Sequence, residues 1–292
     1  MACENELQFY ADNDQMAQCA AGKAIAEVKR IETSYSRYRD DSIISRINRE
    51  AGRSAVALDH ETAALLRFAD TCYRASGGLF DITSGVLRRI WDFRSGVVPS
   101  AQAIAATLPL IGWDKVEFDG KHIRLTQAGM EIDFGGIGKE YAADLAAQVL
   151  RANGIRSGLV NLGGDICILG PQPDGTPWAV HIIHPRRPGT LLTTVHLTQG
   201  ALTTSGDYLR YFDIGNTRYC HILNPKTGWP VQHWQSASVI APQCSAAGSA
   251  STIAMLLGNA AVPFLDQQKT GYLLVDPQGR LHRKMRQGLT AP

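Results

Sequence analysis

Apolar positions along the chain follow two rhythms, and each predicts its own kind of element. Met16, Ala20, Ala24, Val28 and Ile31 recur at helical spacing. They predict a helix to about Glu32, with Asp-Asn-Asp at 12–14 as its cap. The alternation over Glu6–Tyr10 before it predicts a strand. Ile43, Ile44 and Ile47 follow Asp-Asp-Ser (40–42) and predict a short capped helix. Leu65, Leu66, Ala69, Cys72 and Tyr73 stripe a helix that Gly77-Gly78 ends. Tyr141, Leu145 and Val149 repeat every four residues among alanines, and Asn153-Gly154 stops that run.

The second rhythm is strand-like. VEFDGKHIRL (116–125) predicts a hairpin turning at Asp119-Gly120, and SGLVNLGGDICILG (157–170) reads as a strand. From about 178 the pattern is β-rich and includes a second hairpin, YLRYFDIGNTRYCHIL (208–223), with its turn at Gly215-Asn216. An alanine-rich helix at 244–257 precedes a closing hairpin, GYLLVDPQGRLHR (271–283). Hairpin-joined, mainly antiparallel strands with flanking helices predict the α+β class, and the lack of alternating β-α-β units excludes a doubly wound sheet. No Pro/Ser-rich break divides the chain. One intertwined domain over 1–292 is expected, with about 280–292 as a frayed tail.

Composition narrows the picture modestly. The 292 residues are 45% hydrophobic and 19% charged, enough for a substantial core. A net charge of +2 excludes a general nucleic-acid surface, so no nucleic acid is expected as a partner. The basic clusters HPRR (184–187) and HRKMR (282–286) read as a solvated loop and tail. The six cysteines (Cys3, Cys19, Cys72, Cys167, Cys220, Cys244) show no C-x-x-C or zinc spacing and read as reduced thiols. The first residues, MACENELQFYADND, carry no signal-peptide pattern. No apolar run is read as approaching the ~20 residues that span a bilayer. A cytoplasmic protein without a transmembrane segment is expected, if Met1 is the native start.

Five stretches carry candidate chemistry. EIDFGGIGKEYAADLAAQVL (131–150) runs through Gly135-Gly136 into a helix, with Lys139 in its first turn. Helix N-termini and glycines favour anions, yet Glu140 stands where a Walker loop needs Ser or Thr, so a tight turn with nothing bound is the alternative. VNLGGDI (160–166) places a double glycine inside a strand pattern, which suggests a bulge or a close backbone approach. Asp165 after it is either a ligand residue or a turn acid. TTSGDYLRYF (203–212) offers Thr204, Ser205 and Asp207 around a glycine, or a plain turn. HILNPKTGWPV (221–231) is headed by His221, a base or a satisfied structural residue. YSRYRDDS (35–42) offers tyrosine and arginine planes for stacking, or an ordinary surface. Read physically, these describe an α+β protein with the makings of a phosphate-ligand site.

Taken in order, YSRYRDDSIISRIN (35–48), GGLFDIT (77–83), IDFGGIGKEYAAD (132–144), LVNLGGDI (159–166), TSGDYLRYF (204–212) and HILNPKTGWPV (221–231) resemble the ApbE family, the FAD:protein FMN transferases. The resemblance implies a T-fold-like architecture with FAD as substrate and a divalent metal, usually Mg²⁺. It implies transfer of the FMN half of FAD to a Thr or Ser hydroxyl of an acceptor flavoprotein, with release of AMP. Known acceptors of the family are subunits of respiratory redox complexes and related flavoproteins. Position by position, Tyr38 matches an aromatic against the flavin nucleotide, and Leu79, Phe80 and Asp81 match a FAD-contacting run. Asp133, Lys139 and Ile222 match FAD-binding positions, the Gly136 carbonyl a metal ligand, and His221 a histidine that assists catalysis.

One departure stands out. The family's late helix carries an Asp and, four residues on, a Thr, both metal ligands. In CSAAGSASTIAMLLG (244–258), Thr252 is present and Gly248 occupies the aspartate position, with VIAP (239–242) and MLLG (255–258) holding the register. Water or a relocated acid is left as compensation. So is a member that binds FAD with little transfer, or a pyrophosphatase that yields FMN and AMP.

Overall fold

A computed structural model describes residues 4–284. Its centre is a seven-stranded sheet in which every neighbouring pair is antiparallel. Across the sheet the strands run Asn5–Tyr10, Ser157–Leu162, Asp165–Gly170, Gly200–Gly206, Ser236–Ala241, Gly271–Val275 and Leu281–Lys284. The first and last described strands are therefore opposite edges of one sheet, and the chain between them is interleaved.

Strand alternation sorts the core into two layers. Val160, Cys167, Ala201, Val239 and Leu274 face helices Gly138–Ala152 and Cys244–Leu257, with helix Asp14–Tyr35 packed on the first of these. Their sequence neighbours Leu159, Ile168, Leu202, Ile240 and Leu273 face the hairpin Trp178–Ile183/Leu191–Leu197. Both faces are covered, so Ser236–Ala241 and Gly271–Val275 are buried at every position and show no alternation of buried and exposed residues. Alanines at 142, 143, 146, 147, 247, 250 and 254 let the helices approach closely.

The predicted helices are present with the caps read at 12–14 and 40–42, and the structure adds a cap at Asp59. Asn13 accepts from the Met16 N–H, Ser42 from Ser45 and Asp59 from Thr62, capping helices Asp14–Tyr35, Ile43–Arg49 and His60–Ala75. The hairpins turning at Asp119-Gly120 and Gly215-Asn216 form with Phe118↔Ile123 and Ile214↔Thr217 paired. One region shows no clear rhythm in sequence. The 3₁₀ helix Ile82–Arg89 and helix Ala101–Thr107 build a separate small core of Val86, Leu87, Trp91, Ile104 and Ile111. Trp91 stacks on Phe93 and Tyr219 there, and its indole N–H donates to the Gly228 carbonyl at 2.8 Å.

Four expectations need correction. The stretch 157–170 is two strands. Gly163 and Gly164, at φ 60° and 92°, form a two-residue turn between paired Leu162 and Asp165, so the double glycine is a hairpin turn and not a bulge. Leu281–Lys284 is an edge strand, not part of a frayed tail, and residues 285–292 lie outside the described residues. The HPRR cluster is not merely solvated: Arg186 makes a two-pronged ion pair to the nearly buried Asp207 at 2.6 and 2.6 Å. Finally, Cys244–Gln267 is long and apolar enough by composition to cross a membrane (24 residues, mean hydropathy 1.3). Gly258, at φ 56°, interrupts it, and most of its apolar window is buried against the sheet, as in a core helix.

Candidate functional site

The site begins where the hairpin Ser157–Leu162/Asp165–Gly170 meets two antiparallel helices. Asp144, on helix Gly138–Ala152, accepts hydrogen bonds from the N–H groups of Cys244 (2.7 Å) and Ser245 (2.9 Å). A carboxylate thereby caps a helix one hundred residues away, where the helix dipole favours negative charge. This contact fixes the register of the two helices. One turn back on the first and one turn forward on the second, Glu140 lies against Gly248. A β-carbon added at Gly248 would sit 2.4 Å from Glu140 Cγ and 3.2 Å from its Oε1.

Glu140 is buried, and its Oε2 has no hydrogen-bond partner. Asp165, brought in by the Gly163-Gly164 turn, is buried beside it and ion-paired with Lys139 Nζ. Burial, then repulsion from Asp165, pushes the Glu140 carboxyl up to about 8. Asp165 is also raised, chiefly by burial, with Lys139 opposing the shift. On the neighbouring wall the Ser205 hydroxyl contacts those of Ser251 (2.8 Å) and Thr252 (3.1 Å).

Of these, Glu140, Asp165, Ser205 and Thr252 line one open cleft with Leu79, Phe80, Asp81, Asp133, Gly136, Lys139, His221 and Ile222. The glycine turn now has a physical account. A β-carbon at Gly136 would press on the Phe80 ring at 3.2 Å, and one at Gly135 would meet Arg88 Nη2 at 3.3 Å and the Asp133 carboxylate. Neither glycine has a positive φ. The bare backbone therefore makes room for a ring and an arginine of this chain.

The predicted residues play unequal parts. Asp81 spends its carboxylate inside the protein, accepting from the Thr83 N–H and hydroxyl and from the Trp113 N–H, and so shapes the loop that carries Leu79 and Phe80. Asp133 accepts from the Gly135 N–H at 2.9 Å and sits 3.4 Å from both Arg37 and Arg88. The His221 ring is largely enclosed, and its Nδ1 is buried without a partner. Burial, reinforced by Arg88 and Arg210, lowers its pKa to about 4, so the ring is neutral at pH 7. Tyr38 is not brought into the cleft. Its ring is 80% exposed and lies near Arg37, whose guanidinium carbon is 5.7 Å from the ring centroid.

Sequence reasoning missed Arg88, read Arg37 as a stacking plane and not as a partner of Asp133, and read Glu140 only as a mismatch to a phosphate loop. A signal for Glu140 existed. It falls on the buried stripe of its helix with Ala143, Asp144 and Ala147, and two acids on an otherwise apolar stripe need an explanation. Arg88 lies in the 3₁₀ segment, whose pattern gave no warning.

Comparison with known proteins agrees with this geometry. The model of the ApbE family matches residues 1–274. A FAD:protein FMN transferase of Treponema pallidum (strain Nichols) is 32% identical over 246 residues, covering 78% of this chain and 68% of that protein. One from Vibrio cholerae serotype O1 is 28% identical over 237 residues, with 79% and 71% covered. Among solved structures, the ApbE protein of Thermotoga maritima MSB8 superposes with a TM-score of 0.86 at 28% identity, covering 96% of this chain and 97% of that one. The apo form of Pseudomonas stutzeri flavinyl transferase ApbE gives 0.84 at 27%, covering 97% and 91%. With an α+β fold, five of the six ordered motifs meeting on one cleft and a family match over nearly its whole length, the chain belongs to the ApbE family.

Proposed function

We propose that this protein is a FAD:protein FMN transferase, moving the FMN moiety of FAD to a Thr or Ser hydroxyl of an acceptor flavoprotein and releasing AMP. The observation that carries the reading is that cationic side chains, a buried carboxylate pair and a neutral histidine converge on one cleft lined by the family's motifs. The acceptor hydroxyl oxygen attacks the FMN-side phosphorus of the pyrophosphate. A new P–O bond forms, the P–O bond to AMP breaks, and AMP leaves with that bond's electron pair. The hydroxyl proton passes to His221, whose unpartnered Nδ1 leaves a ring nitrogen able to accept it. Lys139 and Arg88 face the space where phosphate charge gathers.

A divalent cation fits the donor chemistry of the cleft. Among the described residues no cluster of three or more His, Cys, Asp or Glu forms. The available donors are hard oxygens: a buried carboxylate pair, the Thr252 hydroxyl and the Gly136 carbonyl. That suits Mg²⁺, which takes one or two carboxylates and completes its shell with phosphate oxygens and water. When bound it would neutralise charge on the non-bridging phosphate oxygens. Tyr38, outside the cleft, is offered to the flavin end of the nucleotide as a stacking surface.

The test is incubation with FAD, Mg²⁺ and a candidate acceptor, followed by a denaturing gel read for flavin fluorescence. Fluorescence on the acceptor, lost when its target Thr is changed to Ala, is the expected result. Intact FAD with no labelled acceptor would favour a binding protein. Free FMN and AMP without acceptor would favour a pyrophosphatase.

A further inference from the structure

We propose that Glu140 supplies the carboxylate ligand for the cation of this cleft, occupying from one helix the space that a side chain at Gly248 would fill from the other. The proposal rests on the transferase reading only for the identity of the site, because the argument for the ligand is geometric.

Three observations combine. First, Glu140 and a side chain at 248 exclude one another. The Gly248 β-carbon position lies 2.4 Å from Glu140 Cγ and 3.1 Å from its carboxyl carbon, so the glycine is the condition for the glutamate to be there. Second, Glu140 is 6% exposed, lines the cleft, and leaves Oε2 without a protein partner. A buried carboxylate oxygen left bare is costly, and such atoms in native proteins point to an ion or water at the site. Third, Glu140 shares the cleft with Asp165 and with Thr252, one helical turn beyond Gly248. The Lys139 ion pair is with Asp165, which leaves a second carboxylate beside it. A divalent cation would pair with the ionised form of Glu140 and use the bare oxygen.

The geometry also keeps the two positions together. Asp144 pins the start of helix Cys244–Leu257, so positions 140 and 248 stay opposed whichever of them carries the acid.

Mn²⁺ is the probe. Its free signal in electron paramagnetic resonance falls as it binds, and this readout does not depend on FMN transfer. The titration is run on wild-type protein, Glu140→Gln, Glu140→Gly, Gly248→Asp and the double variant Glu140→Gly with Gly248→Asp. Wild-type protein binds Mn²⁺, and Glu140→Gln, the closest isostere, loses at least about tenfold in affinity. Gly248→Asp alone also binds poorly, because its side chain collides with Glu140. The double variant recovers affinity to within about threefold of wild type, which a merely structural role for Glu140 would not produce. Near-ultraviolet circular dichroism and FAD binding without metal, followed by flavin fluorescence, establish that each variant is folded. Unchanged Mn²⁺ affinity in folded Glu140→Gln, or a double variant no better than Glu140→Gly, would overturn the proposal, as would wild-type protein that binds no Mn²⁺. If Mn²⁺ binding follows the expected pattern while no acceptor is labelled, the transferase reading fails and the ligand assignment stands.

Discussion

His221→Ala slows FMN transfer by about 10²–10⁴-fold, the range for loss of a positioned general base. The protein should still bind FAD, because the ring does not hold the fold together: its Nδ1 has no protein partner, and it is the residue's backbone N–H that donates to the Arg210 carbonyl at 3.0 Å. The loss should therefore fall on kcat more than on KM. The pH dependence follows from the same burial. His221 is held at about 4, below the 6.5 of an unhindered histidine, by burial and by Arg88 and Arg210. A group with a depressed folded pKa stays in its base form as pH falls until that pKa is reached. The acid limb of kcat/KM, which reports the free enzyme, is expected near pH 4 and not near 6.5. Negative phosphates in the FAD complex favour the imidazolium, so the acid limb of kcat should lie higher than that of kcat/KM. A His221→Ala protein with unchanged kcat, or a kcat/KM profile breaking at 6.5, would remove His221 from the chemistry.

Asp144→Ala is expected to be the most destabilising single change in the site's scaffold. Two N–H groups, of buried Cys244 and half-buried Ser245, lose a charged acceptor at once, and a helix N-terminus loses its compensating charge. Together these cost about 3 kcal/mol, which for a chain of this size lowers Tm by roughly 5–10 °C. Asp144→Asn keeps one oxygen as acceptor and should cost about half as much. The consequence reaches the chemistry, because Asp144 sets the opposition of Glu140 and Gly248. At temperatures where the variant remains folded, metal affinity should fall as well. Thermal unfolding by circular dichroism reads the first effect and Mn²⁺ titration the second. An unshifted Tm would mean that water replaces the carboxylate at no cost.

Much of this architecture is written in the chain's periodicity. Helix stripes are continuous where one face meets the core, and the cap residues Asn13, Ser42 and Asp59 precede them where helix termini need acceptors. The Gly163-Gly164 turn was misread because both faces of its strands are buried. Leu159 to Leu169 runs nearly without polar alternation, and periodicity then gives no cue that the chain reverses. The 82–113 segment was unread for a different reason. Its short 3₁₀ turns have a three-residue period and are held by contacts distant in sequence, such as Trp91 on Tyr219 and on the Gly228 carbonyl.

The site shows the same division. Lys139, His221, Phe80 and Thr252 could be picked out by motif and do meet in the cleft. What sequence alone could not show was the relation between Glu140 and Gly248. They are 108 residues apart in the chain yet in contact, and Gly248 reads only as a missing acid, Glu140 only as a mismatch, until the helices are laid side by side. The same is true of the glycine turn, whose open backbone is answered by Phe80 and Arg88 arriving from another part of the chain.

The most direct test of FMN transfer by this protein is the ratio of AMP released to flavin covalently bound on an acceptor, measured in one reaction with FAD and Mg²⁺. One AMP per acceptor-bound FMN, with negligible AMP when the acceptor is left out, is the expected result. AMP released without acceptor and matched by free FMN would contradict it, because water would then be the nucleophile that the cleft admits.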